Sequence, residues 1–357
     1  MIQSAAAQRE EVLDSGWQSS LRNAISDPVE LCRRLSLPAE SQLMSEQAHH
    51  SFQTLVTEEF LARIEPGNPR DPLLLQVLPV HDELAQVPGF VEDAVGDTEA
   101  QQIPGLLQKY SSRVLMMLTM NCPVHCRYCF RRNYLEPEFF DSATESRLEN
   151  PRASIQDERM LPKQWQRACE WIARESSVIE VILSGGDPLM VPDERLACLV
   201  RRLEEIPHLT TIRLHTRLPV MIPNRVNESL LGWLRATRLK PVVVLHINHA
   251  RELDQSVADA AKKLAAAGVL LLNQSVLLRQ VNDSVEALVA LSQCLIQAGI
   301  SPYYLNQLDR AKGTAHFEVP LAEGRVLMEQ LRKQLPGYAV PRFVKESKGS
   351  LYKLPLA

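Results

Sequence analysis

The 357-residue sequence has no apolar run long enough to cross a membrane, and its first residues lack the apolar core of a signal peptide. It also has no excess of basic residues, since 39 lysines and arginines stand against 43 aspartates and glutamates, for a net charge of −4. These absences argue against a membrane protein, an exported protein and a nucleic-acid-binding protein. They predict a cytoplasmic protein with neither a membrane nor a nucleic-acid partner.

Cysteine is sparse, and the odd total of seven does not resemble the disulfide framework of a small secreted protein. Three of the cysteines, Cys122, Cys126 and Cys129, fall within eight residues. They follow the apolar run Val114 to Met120, which predicts a buried strand. The thiols are therefore concentrated where a strand ends. The other four fall in helical patterns and are expected to be buried, inert thiols: Cys32, Cys169, Cys198 and Cys294.

The Cys-x3-Cys-x2-Cys loop suits an iron–sulfur cluster, because thiolates are the usual ligands of its irons. Three thiolates would hold three irons of a cubane and leave the fourth iron open to another ligand. Two other interpretations stay open. Cys126 and Cys129 could be half of a zinc site completed by His125 or a distant residue, or they could be a redox dithiol. No second cysteine pair follows at zinc-finger spacing, and a dithiol leaves Cys122 unexplained.

Residues 1–100 have the pattern of short helices joined by proline-rich turns, among them Leu55 to Ile64. From Arg113 onward, six apolar strands alternate with amphipathic helices, which is typical of parallel strands with right-handed crossovers. The pattern predicts an α/β protein, a barrel or part of one. The polar stretch Glu136 to Gln156 is expected to be a surface loop. The predicted strands are Val114 to Met120, Val178 to Leu183, Thr211 to Leu214, Pro241 to Leu245, Val269 to Gln274 and Ser301 to Leu305; the helices begin at Leu161, Asp193, Asn227, Asp254, Ser284 and Ala322.

Polar residues recur at the ends of successive predicted strands. The second strand ends in Ser184-Gly185-Gly186-Asp187, where two glycines permit close approach of the backbone to a ligand. His215, His246 and Gln274 fall at the ends of the next three strands. Each histidine taken alone could equally be a structural residue. Because catalytic residues of α/β barrels gather at the carboxyl ends of the strands, we expect the active site at this end.

The cysteine spacing, with an aromatic residue before the last cysteine, resembles the radical S-adenosylmethionine (SAM) enzymes, in which the open iron binds SAM. Later stretches resemble the lysine 2,3-aminomutase family, a radical SAM branch that also uses pyridoxal phosphate (PLP). The resemblance runs from about residue 55 to the C-terminus. It implies a partial (β/α)6 barrel over 101–335, a helical extension over 1–100 and a PLP-lysine segment over 336–357. The stretches that carry it are Asn273 to Arg279, Val281-Asn282-Asp283, Pro302-Tyr303-Tyr304, His316-Phe317 and Pro336 to Pro341.

The resemblance assigns cofactor roles to individual residues. Lys353, just before Leu354-Pro355, matches the lysine that forms an aldimine with PLP, and Lys345 and Lys348 are nearby competitors. The remaining assignments are Cys122, Cys126 and Cys129 to the [4Fe-4S] cluster, Ser184, Gly185, Gly186, Asp187, His246 and Gln274 to SAM, and Lys109, Tyr110 and Arg113 to the PLP phosphate.

The resemblance also implies a substrate site for L-lysine. Arg131, two residues after Cys129, matches the arginine that holds the substrate carboxylate, a task that suits the forked guanidinium. Asp283 and Glu346 match the two carboxylates that hold the side-chain ammonium of lysine. Glu346 stands where the catabolic enzymes carry aspartate, which keeps the charge but lengthens the side chain.

Within the family, the chain most resembles the short bacterial form that makes (R)-β-lysine for modification of translation elongation factor P. The stretch Pro104 to Tyr110 fits that form, and the chain lacks the C-terminal extension of the catabolic enzymes. The implied partners are a flavodoxin or ferredoxin as electron donor, and functionally elongation factor P and its lysyl ligase; a homo-oligomer stays open. The rival hypotheses are a catabolic or antibiotic-pathway aminomutase, a radical SAM oxidoreductase without PLP, and a non-enzymatic zinc or cluster scaffold.

Overall fold

The computed structural model describes residues 16–37, 44–134 and 161–357, so the loop predicted at Glu136 to Gln156 lies outside the described residues. Before residue 100 the described chain forms short helices, as the sequence predicts. Asp27 caps one of them by accepting a hydrogen bond from Val29 N at 2.8 Å, with Pro28 at the first helical position. These helices are α1 (Gly16–Arg22), α2 (Pro28–Arg34), α3 (Glu46–Ser51) and α4 (Glu58–Leu61).

The helix predicted over Leu55 to Ile64 is wrong at both ends, because α4 covers only Glu58–Leu61. Val56 instead forms an antiparallel β-bridge with Ile25, through N–H to O distances of 2.7 and 3.0 Å. Thr57 then caps α4, because its hydroxyl accepts a hydrogen bond from Phe60 N. The helix therefore begins only after the cap, at Glu58.

Ten strands form one mixed sheet, and they follow one another in space in the order of the chain. Neighbours from β3 to β9 are parallel, whereas β1, β2 and β3 pair antiparallel, as do β9 and β10. The predicted α/β class and all six predicted strands, β3 to β8, are confirmed. The bounds are β1 (Gln101–Ile103), β2 (Leu106–Tyr110), β3 (Arg113–Thr119), β4 (Glu180–Gly185), β5 (Thr211–Thr216), β6 (Lys240–His246), β7 (Leu270–Leu277), β8 (Ser301–Gln307), β9 (Arg342–Lys345) and β10 (Leu354–Pro355).

Several strands continue beyond the predicted ends and include the polar residues found there. His215 pairs with Val244, and His246 pairs with Gln274, in register with the apolar residues before them. Hydrogen bonds between the strands pair the backbone N–H and C=O groups of these residues. A strand can therefore include a polar residue whose side chain points into a cavity. The polar positions are thus part of the sheet itself and not of the loops after it.

Helices connect the parallel strands, and side-chain caps fix where three of them begin. Asn227, Asp254 and Ser284 each accept a hydrogen bond from the backbone amide three residues on, at 3.0, 3.0 and 3.2 Å. The predicted starts of these helices are confirmed. After β3 the helices are α5 (Lys163–Arg174), α6 (Asp193–Glu204), α7 (Leu218–Met221), α8 (Glu228–Ala236), α9 (Gln255–Ala266), α10 (Val285–Gln297) and α11 (Leu321–Gln334).

One large hydrophobic cluster joins the N-terminal helices to the sheet. Leu31 and Phe60 belong to the same cluster as Val114, Leu183 and Leu214, and all five side chains are almost completely buried. Burial of this kind is the main stabilising term of the fold. The N-terminal helices are thereby fixed against the strands that carry the site. Among the helices of the described segments, none combines the length and apolar character needed to span a lipid bilayer.

Candidate active site

Every strand from β2 to β10 contributes a lining residue to one cavity of about 400 Å³. A cavity of this volume suits a cofactor and a small substrate. The residues after Cys129, Phe130 and Arg131, also line it, so the cysteine loop adjoins the cavity. The charged lining residues are the cations Lys109, Arg113, Arg131, Arg213, Arg342 and Lys353 and the anions Asp97, Asp309 and Glu346. Cations outnumber anions, which favours an anionic ligand.

The three cysteines lie on one short loop after β3, and all three are free thiols. Burial, and after it repulsion from Cys126, raises the pKa of the Cys129 thiol to about 11. Burial also raises the pKa of Cys122. Binding of a strong cation would convert these two thiols to thiolates. Within the described residues no three His, Cys, Asp or Glu side chains converge on one metal ion. Three thiols on one short loop are a donor set that fits a cubane, in which each thiolate binds a different iron.

A buried ion pair anchors the cysteine loop to the N-terminal helices. Arg127, between two of the cysteines, donates from Nε and Nη2 to the Glu83 carboxylate at 2.9 and 2.6 Å, and from Nη1 to Phe52 O at 2.6 Å. Arg132 also donates to Glu83. Both members of the Arg127–Glu83 pair are buried, and removal of one partner of such a pair leaves an uncompensated charge.

The glycine turn after β4 packs directly against the start of the cysteine loop. Gly186 N donates to Thr119 O at 2.6 Å, and Asp187 N donates to Asn121 O at 2.8 Å. A Cβ on Gly186 would lie 2.3 Å from Asn121 O, and Gly185 has a φ of +117°. Both positions therefore require glycine. The turn fixes the backbone immediately before Cys122.

The carboxylate of Asp187 is used inside the fold. It accepts hydrogen bonds from Thr216 Oγ1 and from the backbone amides of Leu189, Arg217 and Leu218, at 2.7 to 3.0 Å. The side chain is buried. It joins the turn after β4 to the end of β5, and the cavity lining includes Ser184 from this segment but not Asp187.

Lys353 is the C-terminal lysine that reaches the cavity. Its Nζ donates to Asn306 Oδ1 at 2.9 Å, lies 3.4 Å from Glu346 Oε2, and is 5.7 Å from the ring centre of Tyr304. The competitors lie elsewhere: Lys348 pairs with Glu99 on the surface, and Lys345 does not line the cavity.

Lys109, Tyr110 and Arg113 come together on β2 and β3 at the cavity wall. The Lys109 amine lies 2.6 Å from Asp97 Oδ1, and Tyr110 donates from its hydroxyl to Glu346 at 2.8 Å. The guanidinium of Arg113 stacks over the Tyr110 ring at 4.5 Å. The group supplies two cations and a hydroxyl, a donor set that fits a phosphate.

Arg131 is held at the cavity by groups on both sides. Nε and Nη2 donate to Asp97 Oδ2 at 3.0 and 2.9 Å, and Nη1 donates to Ser184 Oγ and Gly185 O at 3.2 and 3.1 Å. Burial would raise the pKa of Asp97, but Arg131 and Lys109 hold it below its ordinary value. Asp97 therefore stays ionised and fixes the direction of the guanidinium.

The structure does not bring Asp283 to the cavity, and it brings Asp309, which the sequence analysis did not single out. Asp283 lies beside Arg279 at 3.4 Å and accepts a hydrogen bond from Gln280 N. Asp309 lines the cavity with Glu346 and Lys353, and burial raises its pKa to about 6. The sequence does contain a signal for Asp309, because this residue follows the end of the sixth predicted strand. A single aspartate at such a position is only weak evidence for a binding site.

Two histidines and a glutamine line the same wall from three neighbouring strands. His246 Nε2 lies 2.7 Å from Gln274 Nε2, and the rings of His215 and His246 meet edge to face with centres 5.9 Å apart. Burial lowers the pKa of both histidines, that of His246 to about 3, so both are neutral at ordinary pH. His215 Nε2 has no hydrogen-bond partner among the described residues, which leaves a buried polar atom for a ligand.

Residues 111–216 match the family described as 4Fe-4S single cluster domain. Two relatives named L-lysine 2,3-aminomutase are similar over nearly their whole length. The one from Haemophilus influenzae is 43% identical over 94% of this chain and 94% of its own, and the one from Escherichia coli is 41% identical over 95% and 94%. A relative of the same name from Clostridium subterminale is 34% identical over 95% of this chain and 77% of its own.

A solved structure of Streptococcus suis SuiB has a TM-score of 0.44 and 16% sequence identity, over 68% of this chain and 50% of its own. A likeness of this size supports no argument about this chain.

The matched 4Fe-4S domain includes the three-cysteine loop, and with the parallel sheet around the cavity it defines an iron–sulfur α/β enzyme. The identity to the named relatives is more specific: the chain belongs to the L-lysine 2,3-aminomutase family, whose members are isomerases.

Proposed function

We propose that this protein is a radical SAM, PLP-dependent aminomutase that converts L-α-lysine to (R)-β-lysine on a partial (β/α)6 barrel. The observation that supports it is the joint presence of Lys353, Arg131, Asp309 and Glu346 in one cavity beside the cysteine loop. A diamino acid needs a cation for its carboxylate and anions for its distal ammonium, and a PLP enzyme needs a lysine amine. The cavity offers all three.

The residues around the cavity are suited to hold three groups. When bound, the cluster with SAM supplies a carbon radical, and PLP supplies a conjugated ring that delocalises the unpaired electron during the nitrogen shift. The cysteine loop would hold the cluster, and Lys109, Tyr110 and Arg113 the PLP phosphate. For SAM we propose the turn from Ser184 to Asp187, in which the Asp187 carboxylate holds the turn in place, with His246 and Gln274.

Lys353 would attach PLP through Nζ, and its neighbours are placed to serve that atom. Asn306 Oδ1 accepts a hydrogen bond from Nζ at 2.9 Å and fixes its position. Glu346 Oε2, at 3.4 Å, can accept a proton from Nζ or return one. When the substrate amine replaces the lysine, Glu346 would therefore be available to take up or supply the proton exchanged at Nζ.

Arg131 and two carboxylates would fix lysine in register. Arg131 would hold the substrate carboxylate, because Asp97 and Ser184 already set the direction of its guanidinium. Glu346 and Asp309 would hold the distal ammonium. We assign Asp309 to the place that the sequence analysis gave to Asp283, because Asp309 shares the cavity and Asp283 does not.

The walls of the cavity would protect a radical from water. Apolar side chains from β2, β3 and β4 line it together with the neutral histidines His215 and His246, and the apolar residues include Leu107, Val114 and Ile182. An apolar wall reduces the contact of a reactive intermediate with water and so suppresses its side reactions.

We further propose that the product serves the modification of elongation factor P in the cytoplasm, with a flavodoxin or ferredoxin as electron donor. The Escherichia coli and Haemophilus influenzae relatives are 41% and 43% identical and match over 94% of their own length. The Clostridium subterminale relative is 34% identical and matches over 77% of its length, and this difference supports the short bacterial form. A catabolic aminomutase would use the same cavity and is the second candidate.

Anaerobic reconstitution with iron, sulfide and PLP, followed by SAM, a reductant and L-lysine, tests the chemistry. We expect β-lysine of R configuration. Turnover without PLP would favour a radical SAM oxidoreductase, and a protein that holds zinc and cleaves no SAM would favour a scaffold.

The pathway is tested separately by the mass of elongation factor P in cells with and without the gene. An unchanged mass would favour the catabolic alternative.

A further inference from the structure

Arg217, at the end of β5, is buried directly behind the cysteine loop. Its side chain is only 5% exposed. Nη1 lies 2.8 Å from Cys126 Sγ and 2.7 Å from the hydroxyl oxygen of Tyr128. Arg217 is therefore a buried cation that donates a direct hydrogen bond to this thiol. Arg217 does not line the cavity, so the substrate site does not account for it.

The other edge of the guanidinium is fixed by two buried groups. Nη2 donates to Gln76 Oε1 at 2.7 Å and to Glu252 Oε2 at 2.9 Å. Glu252 is completely buried and also accepts hydrogen bonds from Gln76 Nε2 and the backbone amides of Asn248 and His249. The guanidinium cannot turn away from Cys126 without breaking these bonds. A plain ion pair would need only Glu252, so the contact with sulfur is an additional feature.

Tyr128 places a hydroxyl next to the same sulfur. Arg217 Nη1 contacts both groups, since it lies 2.7 Å from the hydroxyl oxygen and 2.8 Å from Cys126 Sγ. The ring is fixed by an edge-to-face contact with Phe317, with ring centres 6.2 Å apart. One of the three cysteines thus accepts a hydrogen bond from a charged donor and has a phenol hydroxyl beside it.

We propose that Arg217 and Tyr128 are positioning residues of the iron–sulfur cluster that raise its reduction potential by hydrogen bonding to the thiolate of Cys126. Reduction adds one negative charge to a cluster that is already anionic. Donors to a ligand sulfur stabilise the more negative state, and hydrogen bonds to the sulfurs are among the terms that set such potentials. The inference rests on the proposed function only in requiring that the cysteine loop binds the cluster.

The test is a redox titration of the reconstituted enzyme, followed by electron paramagnetic resonance of the reduced cluster. Tyr128→Phe removes one hydroxyl and keeps the buried ion pair. Arg217→Gln with Glu252→Gln removes the charged donor together with its counter-charge, so that no single buried charge is left. A charge-assisted hydrogen bond is worth roughly one to two powers of ten. We therefore expect the equilibrium constant for reduction to fall about tenfold in the double variant, which is about 59 mV for one electron. Tyr128→Phe should give a smaller fall.

A matched control removes a buried pair elsewhere. Arg225 and Asp193 form an ion pair at 2.9 Å whose arginine is also completely buried, and Arg225→Gln with Asp193→Asn should leave the potential unchanged. Unchanged potentials in Tyr128→Phe and in the Arg217 double variant, with full iron and sulfide content, would overturn the inference alone. If the double variant does not assemble a cluster, Tyr128→Phe decides. A wild-type protein that holds no iron cluster would overturn the inference together with the proposed function.

Discussion

Arg131 and Asp97 form a two-point ion pair at the cavity, in which Nε and Nη2 both donate to the same oxygen, Asp97 Oδ2, at 3.0 and 2.9 Å. Lys109 lies 2.6 Å from the other oxygen. A single buried carboxylate therefore orients both cations. We expect its loss to affect the binding of substrate, through Arg131, more than the iron content.

Asp97→Asn should raise the KM for lysine about tenfold or more. The amide cannot supply the charge that holds Arg131, and a charge-assisted hydrogen bond contributes about 1.5–3 kcal/mol. Steady-state kinetics with lysine measures the effect, and iron content measured in parallel should match that of the wild type. An unchanged KM would show that Arg131 keeps its direction without Asp97.

Lys353→Ala should lose the visible absorbance of lysine-bound PLP and lose turnover, while iron and sulfide content stay normal, because the amine that attaches PLP is absent. Lys348→Ala is the matched control, since its amine pairs with Glu99 on the surface. The assignment fails if Lys348→Ala is inactive and Lys353→Ala is not.

Asp309→Asn should weaken lysine binding at least tenfold, whereas Asp283→Asn should leave it near the wild-type value. Asp309 lines the cavity, and Asp283 bonds only to Arg279 and Gln280 N among the described residues. The KM for lysine in the two variants is the measurement. The reverse result would restore the assignment made from sequence.

The pH dependence of kcat/KM for lysine should show the ionisation of Asp309. Burial raises its pKa to about 6, so the carboxyl group is neutral below that pH and anionic above it. Because the anion binds the substrate ammonium, kcat/KM should rise as the pH increases through about 6. A pH profile of Asp309→Asn should lack this rise; a profile with the rise intact would assign it to another group.

Gly186→Ala should lower the iron content of the reconstituted protein several-fold. The new Cβ would lie 2.3 Å from Asn121 O and would displace the backbone that leads into Cys122. Gly232→Ala is the control, because a Cβ there meets no atom within 4 Å and a helical glycine to alanine change is neutral or stabilising. Iron analysis of both proteins decides, and equal iron content would mean that the turn can shift without disturbing the cysteines.

The local features of the chain were determined by the sequence alone. The alternation of apolar strands and amphipathic helices, the caps at Asn227, Asp254 and Ser284, and the three-cysteine spacing each depend on residues within a few positions of one another. Local periodicity and capping are readable without a fold. For the same reason the family resemblance was readable from short stretches.

The tertiary structure alone decided which distant groups meet. Strands β1, β2, β9 and β10 are short and gain their hydrogen bonds from neighbours, so no strong local pattern predicts them. Asp309 lines the cavity, whereas Asp283 does not. Arg217 donates a hydrogen bond to Cys126, which is 91 positions away in the sequence. Such contacts depend on how the parallel strands are arranged around a shared cavity. The separation of two residues along the chain does not give the distance between their side chains in the fold.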